Sequence, residues 1–566
     1  MEPLNQLKRR STDLFKQAQQ NMPSLPRSMN MDMPSVPGLP HLQKSLPSLS
    51  QLSFRNSKAA AAVQGTWQRI DIPALPRSSH SVNVVAGSAY IFGGEIEARQ
   101  PVDNDMHIIR LPSSSAGADY HRVEARAAAV EPDTAPAQTA NLDEVALEEE
   151  EEGEGPKGKG KETATDARPR LGDVPAARVG HATAVIGSRI FLFGGRGGPD
   201  MKPLEEAGRV WVYDTRSHAW SHLDPVPAVK GGAIIPQPSP RSYHCATASD
   251  RPRDFPEPGS SSSTAARKPQ TWRQWALGDT SKTGIPQDPV VGYVAEQAVD
   301  TESDGYGTFF VHAGCLAGGD RTSDLWAFDV RARTWTELPA APGPSRGGAA
   351  ICISKSRLFR FGGYDGEAEV GGQLDFLHLE VETFDDGASR GEVSVHARAG
   401  WQTILQDGDG DGANASPAEI RAEPRQEWPA PRSVASLQAL TVGGGKEYLV
   451  LAMGERTPSA DGHSAAGAFL DDVWTFEVPP LGMTAASVRA AFLQAVGKKT
   501  GEGRWQKVSM AEYDDESGDG VPAARGWMAS APLTDLEESG IMIWGGLGAD
   551  NKRIGDGWIL RLGKSD

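Results

Sequence analysis

Six arginines, Arg77, Arg178, Arg241, Arg346, Arg432 and Arg525, each stand upstream of an apolar run that ends at or near a glycine pair. A guanidinium is a planar fork of fixed donors that matches a carboxylate or phosphate in bidentate fashion. Six of them at equivalent positions could form a ring for an anionic ligand. Tyr243, His244 and Trp527 stand beside them and add the aromatic contacts typical of binding hot spots. The competing reading is local: each arginine pairs with a nearby carboxylate and holds a loop in place.

Other residues suited to chemistry are sparse. Cys245, Cys315 and Cys352 form an odd set without a CxxC pair or metal spacing, as expected for reduced residues in buried strands. Asp407, Asp409, Asp411 and Gly412 imitate the start of a calcium loop, but the twelfth position is Ala418, where an EF-hand needs a bidentate Glu. No nucleophile stands with a base, so no catalytic residue, metal ligand or cofactor is assigned.

The elements that must position the arginines repeat with them. AYIFGG (89–94), RIFLFGG (189–195), RLFRFGG (357–363) and IMIWGG (541–546) are the clearest copies; FFVHAG (309–314) and YLVLAMG (448–454) are weaker. An acid with aromatics follows each, as in Asp324-Leu325-Trp326 and Asp472-Val473-Trp474, and usually a closing tryptophan: Trp220, Trp335, Trp401 or Trp505. Short apolar or alternating runs broken by glycines and loops read as strands of small twisted sheets.

This pattern resembles the kelch-repeat family over most of residues 61–566. The resemblance implies an all-β, six-bladed propeller of four-stranded antiparallel blades. In similar kelch propellers, arginines at these positions line the channel mouth and grip acidic peptides. The sixth unit stops after its third strand, while Thr66-Trp67-Gln68-Arg69-Ile70 has the tryptophan of a fourth strand and no unit before it. Residues 66–70 are therefore expected to complete the last blade and close the ring, because an open propeller leaves an unpaired edge.

Two enzymatic relatives of the fold are weighed on the same resemblance. Galactose-oxidase-like copper proteins need a Tyr cross-linked to Cys with further Tyr and His ligands, and no such set is evident. Plant specifier proteins hold iron through Glu-x3-Asp-x3-His; Asp103 and His107 supply the second half, but position 99 is Arg.

At 566 residues the repeats outweigh a multidomain reading. The net charge of −17 argues against a general nucleic-acid binder. There is no apolar run of membrane-spanning length and no secretory signal, which favours a cytoplasmic protein. Successive arginines are farther apart than the ~50 residues of a kelch unit, so polar insertions are expected around 124–174, 250–304, 404–427 and 480–503, with a short helix over 484–496. Residues 1–60, basic and rich in Pro, Ser and Met, read as a disordered tail that binds a second partner; residues 1–20 have the amphipathic stripe that could touch an anionic membrane. The function expected is a non-enzymatic protein-binding scaffold or adaptor whose arginine-lined mouth grips an acidic partner segment. The alternative is a small-molecule enzyme or iron-dependent specifier acting in the channel.

Overall fold

The computed structural model describes residues 63–112, 117–129, 172–227, 234–250, 307–383, 393–406, 419–421, 426–442, 446–461, 465–479, 503–514, 518–533 and 539–563. The chain divides into two units, Met1–Ala59 and Ala60–Asp566. The tail, the acidic run 148–152, the helix expected over 484–496 and the calcium-like loop all lie outside the described residues.

Six antiparallel sheets follow one another along the chain. The first runs Ser81–Val85, Ser88–Phe92, Met106–Arg110, Asp119–Val123, from axis to rim. The second has Ala182–Ile186, Arg189–Phe193, Val210–Asp214 and Ala219–Leu223, and the others repeat this order. No helix occurs among the described residues, and none is therefore long and apolar enough to cross a membrane.

The innermost strands contact one another in a closed circle, Ser81–Val85 meeting Ala182–Ile186 on one side and Ala529–Pro532 on the other. This is a six-bladed β-propeller. Closure is made by Gln64–Ile70, which pairs antiparallel with Gly557–Gly563 from Gln64↔Gly563 to Ile70↔Gly557. The expected strand 66–70 is thus present and two residues longer. The linker after the fifth blade adds a further strand, Ser509–Glu512, parallel to it.

Each junction between blades holds its own apolar cluster. The one between the second and third blades gathers Phe191, Phe193 and Val212 with Phe309, Phe328 and Trp335. The closing tryptophans take equivalent places: Trp220, Trp335, Trp401, Trp505 and Trp67 each pack toward the preceding blade. A rim-strand indole is large enough to span the widening gap between diverging twisted sheets. The fourth blade departs from the pattern. Its outer hairpin, Gln373–Thr383 with Val393–Leu405, is long and carries Glu419–Arg421 as an added parallel strand. The segment expected as loop from 404 to 427 therefore begins in sheet and contains a short strand.

Candidate functional site

The six arginines occupy equivalent positions, and all are at most 1% exposed. Each Nη1 donates to the carbonyl of the residue at the first glycine position of its own blade, as Arg77 to Gly93 at 2.9 Å and Arg178 to Gly194 at 2.8 Å. In all but Arg77, Nε donates to the carbonyl two residues earlier, for example Ala176 for Arg178. The remaining donors go to a carboxylate at the start of the third strand. Arg178 takes Glu206 in bidentate fashion at 2.9 and 2.8 Å, Arg241 takes Asp324, Arg432 takes Asp472 and Arg525 takes Asp556. The same carboxylates accept the indole N–H of Trp211, Trp326, Trp474 and Trp558. Paired this way, Asp324, Asp472 and Asp556 sit below the usual carboxylate range: although burial raises them, the arginine hydrogen bonds prevail.

The sequence pattern leads us to expect these arginines as a ring at the channel mouth. The guanidiniums lie inside the blades, and most of their donors are taken by backbone carbonyls and carboxylates of the fold. The arginine backbone does a second job: each arginine carbonyl accepts from the second glycine of the preceding blade, from Gly94 to Arg178 through Gly546 to Arg77, at 2.9–3.0 Å. A Cβ on Gly94 would come within 2.7 Å of the Ser78 carbonyl and the His80 side chain, and its φ is +90°. The glycine is required by that close approach.

Two blades modify the lock. In the first, Arg77 meets His107 Nε2 at 3.0 Å in place of a carboxylate, and Asp103 approaches the same nitrogen at 3.2 Å. The half-motif Asp103/His107 is therefore a relay to a buried arginine. A cation already faces the imidazole nitrogen that an iron would need, so these residues do not fit the specifier metal set. In the fourth blade, Asp375 is taken by Arg360 at 2.6 Å. Arg346 is left with Nη2 unpartnered among the described residues. Burial, and then the charge of Arg360, lower Arg346 to about 10.

Of the remaining expected residues, His244 is buried at a blade junction. Its Nε2 lies 3.1 Å from the Phe193 carbonyl, and burial pushes it down to about 3. Tyr243 and Trp527 do reach the axis. They belong to a belt two residues after each arginine: Ser79, Gly180, Tyr243, Gly348, Val434 and Trp527. Around this belt each N–H donates to the carbonyl of the preceding member, and Ser79 closes the circle onto Trp527. All six have positive φ, between 46° and 63°, which aims successive peptides around the axis. The third and sixth blades stand opposite each other, and their Tyr243 and Trp527 rings meet edge-to-face with centroids 5.3 Å apart. Together they cap the channel.

Outside this cap lies a cavity of about 160 Å³, lined among others by Glu95, Tyr243, Glu455, Ser459, Trp527 and Arg553. Three of its members, Glu95, Glu455 and Leu547, come from the position just after the glycine pair, which reads Glu95, Arg196, Cys315, Tyr364, Glu455 and Leu547 from blade to blade. Each bridges to the residue after the arginine, as Ser78↔Glu95 and Ser433↔Glu455. Glu95 is neutralised by Arg553 at 2.6 Å, and Arg196 lies over the Tyr243 ring at 4.8 Å. Sequence reasoning passed over this ring, although a signal exists: within an otherwise repeating unit, this position, like the belt position, varies from blade to blade, here from acid to base to aromatic to aliphatic.

A kelch motif matches residues 177–227, the span from Arg178 through Trp220 of the second blade. The third, fifth and sixth blades repeat its arginine–carboxylate lock. The chain carries a kelch motif within a six-bladed β-propeller. Among curated proteins, this kelch chain is 24% identical over 197 residues to N-(sulfonatooxy)prop-2-enimidothioate sulfolyase of Thlaspi arvense, a match covering 34% of the chain and 39% of that protein. The chain thus matches well under half the length of that relative. The solved structure of YjhT aligns over 88% of this chain and 99% of its own, at 10% identity and a TM-score of 0.42.

Proposed function

We propose that this kelch propeller is a binding scaffold that receives a segment of a partner protein at the channel mouth, against the Tyr243–Trp527 cap. The observation that carries this is the cap itself. Two large aromatic rings, neither fully buried, close the axis beneath a small cavity with polar walls, and rigid aromatic anchors in a concave site are the usual centre of a protein interface. The six buried arginines are not part of this reading, because most of their donors are engaged within the fold. A tail-bound second partner and a cytoplasmic setting remain part of the proposal. The sulfolyase activity named for the distant relative is not carried over to this chain, whose Asp103 and His107 serve Arg77.

The test is photocrosslinking in the source cell. A benzoylphenylalanine at Ser459, on the cavity wall, should capture one partner that the same probe at Arg122, on an outer strand, does not. Adding Trp527→Ala should abolish the capture while leaving the melting curve cooperative. Equal capture from both positions would place docking elsewhere and defeat the proposal.

A further inference from the structure

Among the described residues, the wall of the mouth cavity holds one carboxylate without a cation. Glu455 is only 6% exposed and lines the cavity. It accepts a hydrogen bond from Trp527 and has no ion pair among the described residues. Its equivalent in the first blade, Glu95, lines the same cavity and is answered by Arg553 and by the Arg99 N–H. A second carboxyl stands close behind Glu455: Glu369 accepts from the Ser433 hydroxyl at 3.0 Å through one oxygen, and its other oxygen is buried and unpartnered among the described residues. The asymmetry matters because a buried carboxylate without a cation is costly unless something completes it.

We propose that the cavity accepts the lysine side chain of a partner segment, its ammonium on Glu455 and its methylenes against Trp527 and Tyr243. This rests on the mouth-docking reading and names its chemistry. The cavity, at about 160 Å³, is smaller than the roughly 300–1,000 Å³ of a drug-sized site and suits one side chain. Aromatic faces and a carboxylate are the two groups that attract an ammonium. One Glu455 oxygen is committed to the indole, which disfavours the bidentate fork of an arginine and suits the three radial donors of an ammonium. The hydroxyls of Ser78 and Ser459 on the cavity wall can take the other two. Burial holds Glu455 up near about 7 and Glu369 near about 8, the latter raised further by the charge of Glu455. An arriving ammonium would therefore expel a proton. The other charged or titratable groups facing the site, Glu95 with Arg553, Tyr243 and Arg196, are paired with or stacked on one another.

The experiment uses the full chain and the peptide acetyl-Gly-Lys-Gly-amide, followed by saturation-transfer NMR and by titration in buffers of different ionisation enthalpy. Expected are binding that releases a proton at pH 6.5, an affinity that rises toward pH 8.5, and a loss of at least about tenfold in Glu455→Gln or on acetylating the lysine. Trp527→Phe, which keeps an aromatic face, should lose less than Trp527→Leu. Unchanged binding in Glu455→Gln, or equal binding of the acetylated peptide, would overturn the inference. Free n-butylammonium binding as tightly as the peptide would overturn the partner-segment source in favour of a small amine. Capture from Ser459 that persists in Glu455→Gln would leave the docking reading standing while removing this one.

Discussion

An arginine whose charge is matched inside its own blade behaves differently from one that faces a ligand, and the six lock arginines allow that difference to be measured. Arg178 and Glu206 are both buried and joined by two hydrogen bonds. Removing one partner strands the other, so Arg178→Met should destabilise the protein by about 3–5 kcal/mol in urea unfolding. The double variant Arg178→Met/Glu206→Met should recover much of that loss. Arg346→Met should cost distinctly less than Arg178→Met, because among the described residues Arg346 has no carboxylate hydrogen bond and its Nη2 is unpartnered. Equal costs would show that the carbonyl bonds, which all six share, carry the lock. The recurrence of the arginines was plain in the sequence. Their direction was not, since a ring facing a ligand and a ring of staples require the same spacing.

At the scale of elements, the closing strand is the sharpest case. Gln64–Ile70 forms seven register pairs with Gly557–Gly563 and buries Trp67 and Ile70. Deleting residues 1–60 should leave the melting temperature nearly unchanged, whereas deleting residues 1–72 should lower it sharply by exposing the edge of Gly557–Gly563 and unpacking one side of the fifth–sixth junction. Indistinguishable melting of the two truncations would remove the closing role. This element was legible because a lone closing tryptophan without a preceding unit matched a unit without a closing tryptophan. The added strands Ser509–Glu512 and Glu419–Arg421 were not legible. They are short parallel edges made stable by a strand already in place, and their local composition carries no alternation to reveal them.

Over the whole molecule, the blade junctions impose a pH dependence. His80, His181 and His244 pack under the first glycine of the preceding blade. They and His312 are held neutral: burial lowers the first two well below 6.5, and His244 and His312 to about 3. A base with a depressed folded pKa takes its proton in the unfolded chain first, so stability falls as pH drops below about 6.5. Glu369 and Glu455 act oppositely, since their raised pKa values favour the folded state below 4.5 and the benefit is lost as pH rises through about 7 and 8. Four groups outweigh two on the acid side. Melting temperature should therefore drop from pH 6.5 to pH 5, and His244→Gln should flatten that slope. A melting temperature that rises over this interval would contradict the assignment.

The sequence alone determined the architecture: six units, their arginine, glycine and tryptophan punctuation, and the strand that closes the ring. Those features follow from local sterics and hydrophobic pattern, which each unit carries within itself. Only the tertiary structure decided which residues face the axis. The belt of Ser79, Gly180, Tyr243, Gly348, Val434 and Trp527, and the outer ring that includes Glu95 and Glu455, bring together one residue from each blade. Whether a given carboxylate there meets a cation depends on neighbours from other blades, as Glu95 meets Arg553, and no spacing along the chain encodes that.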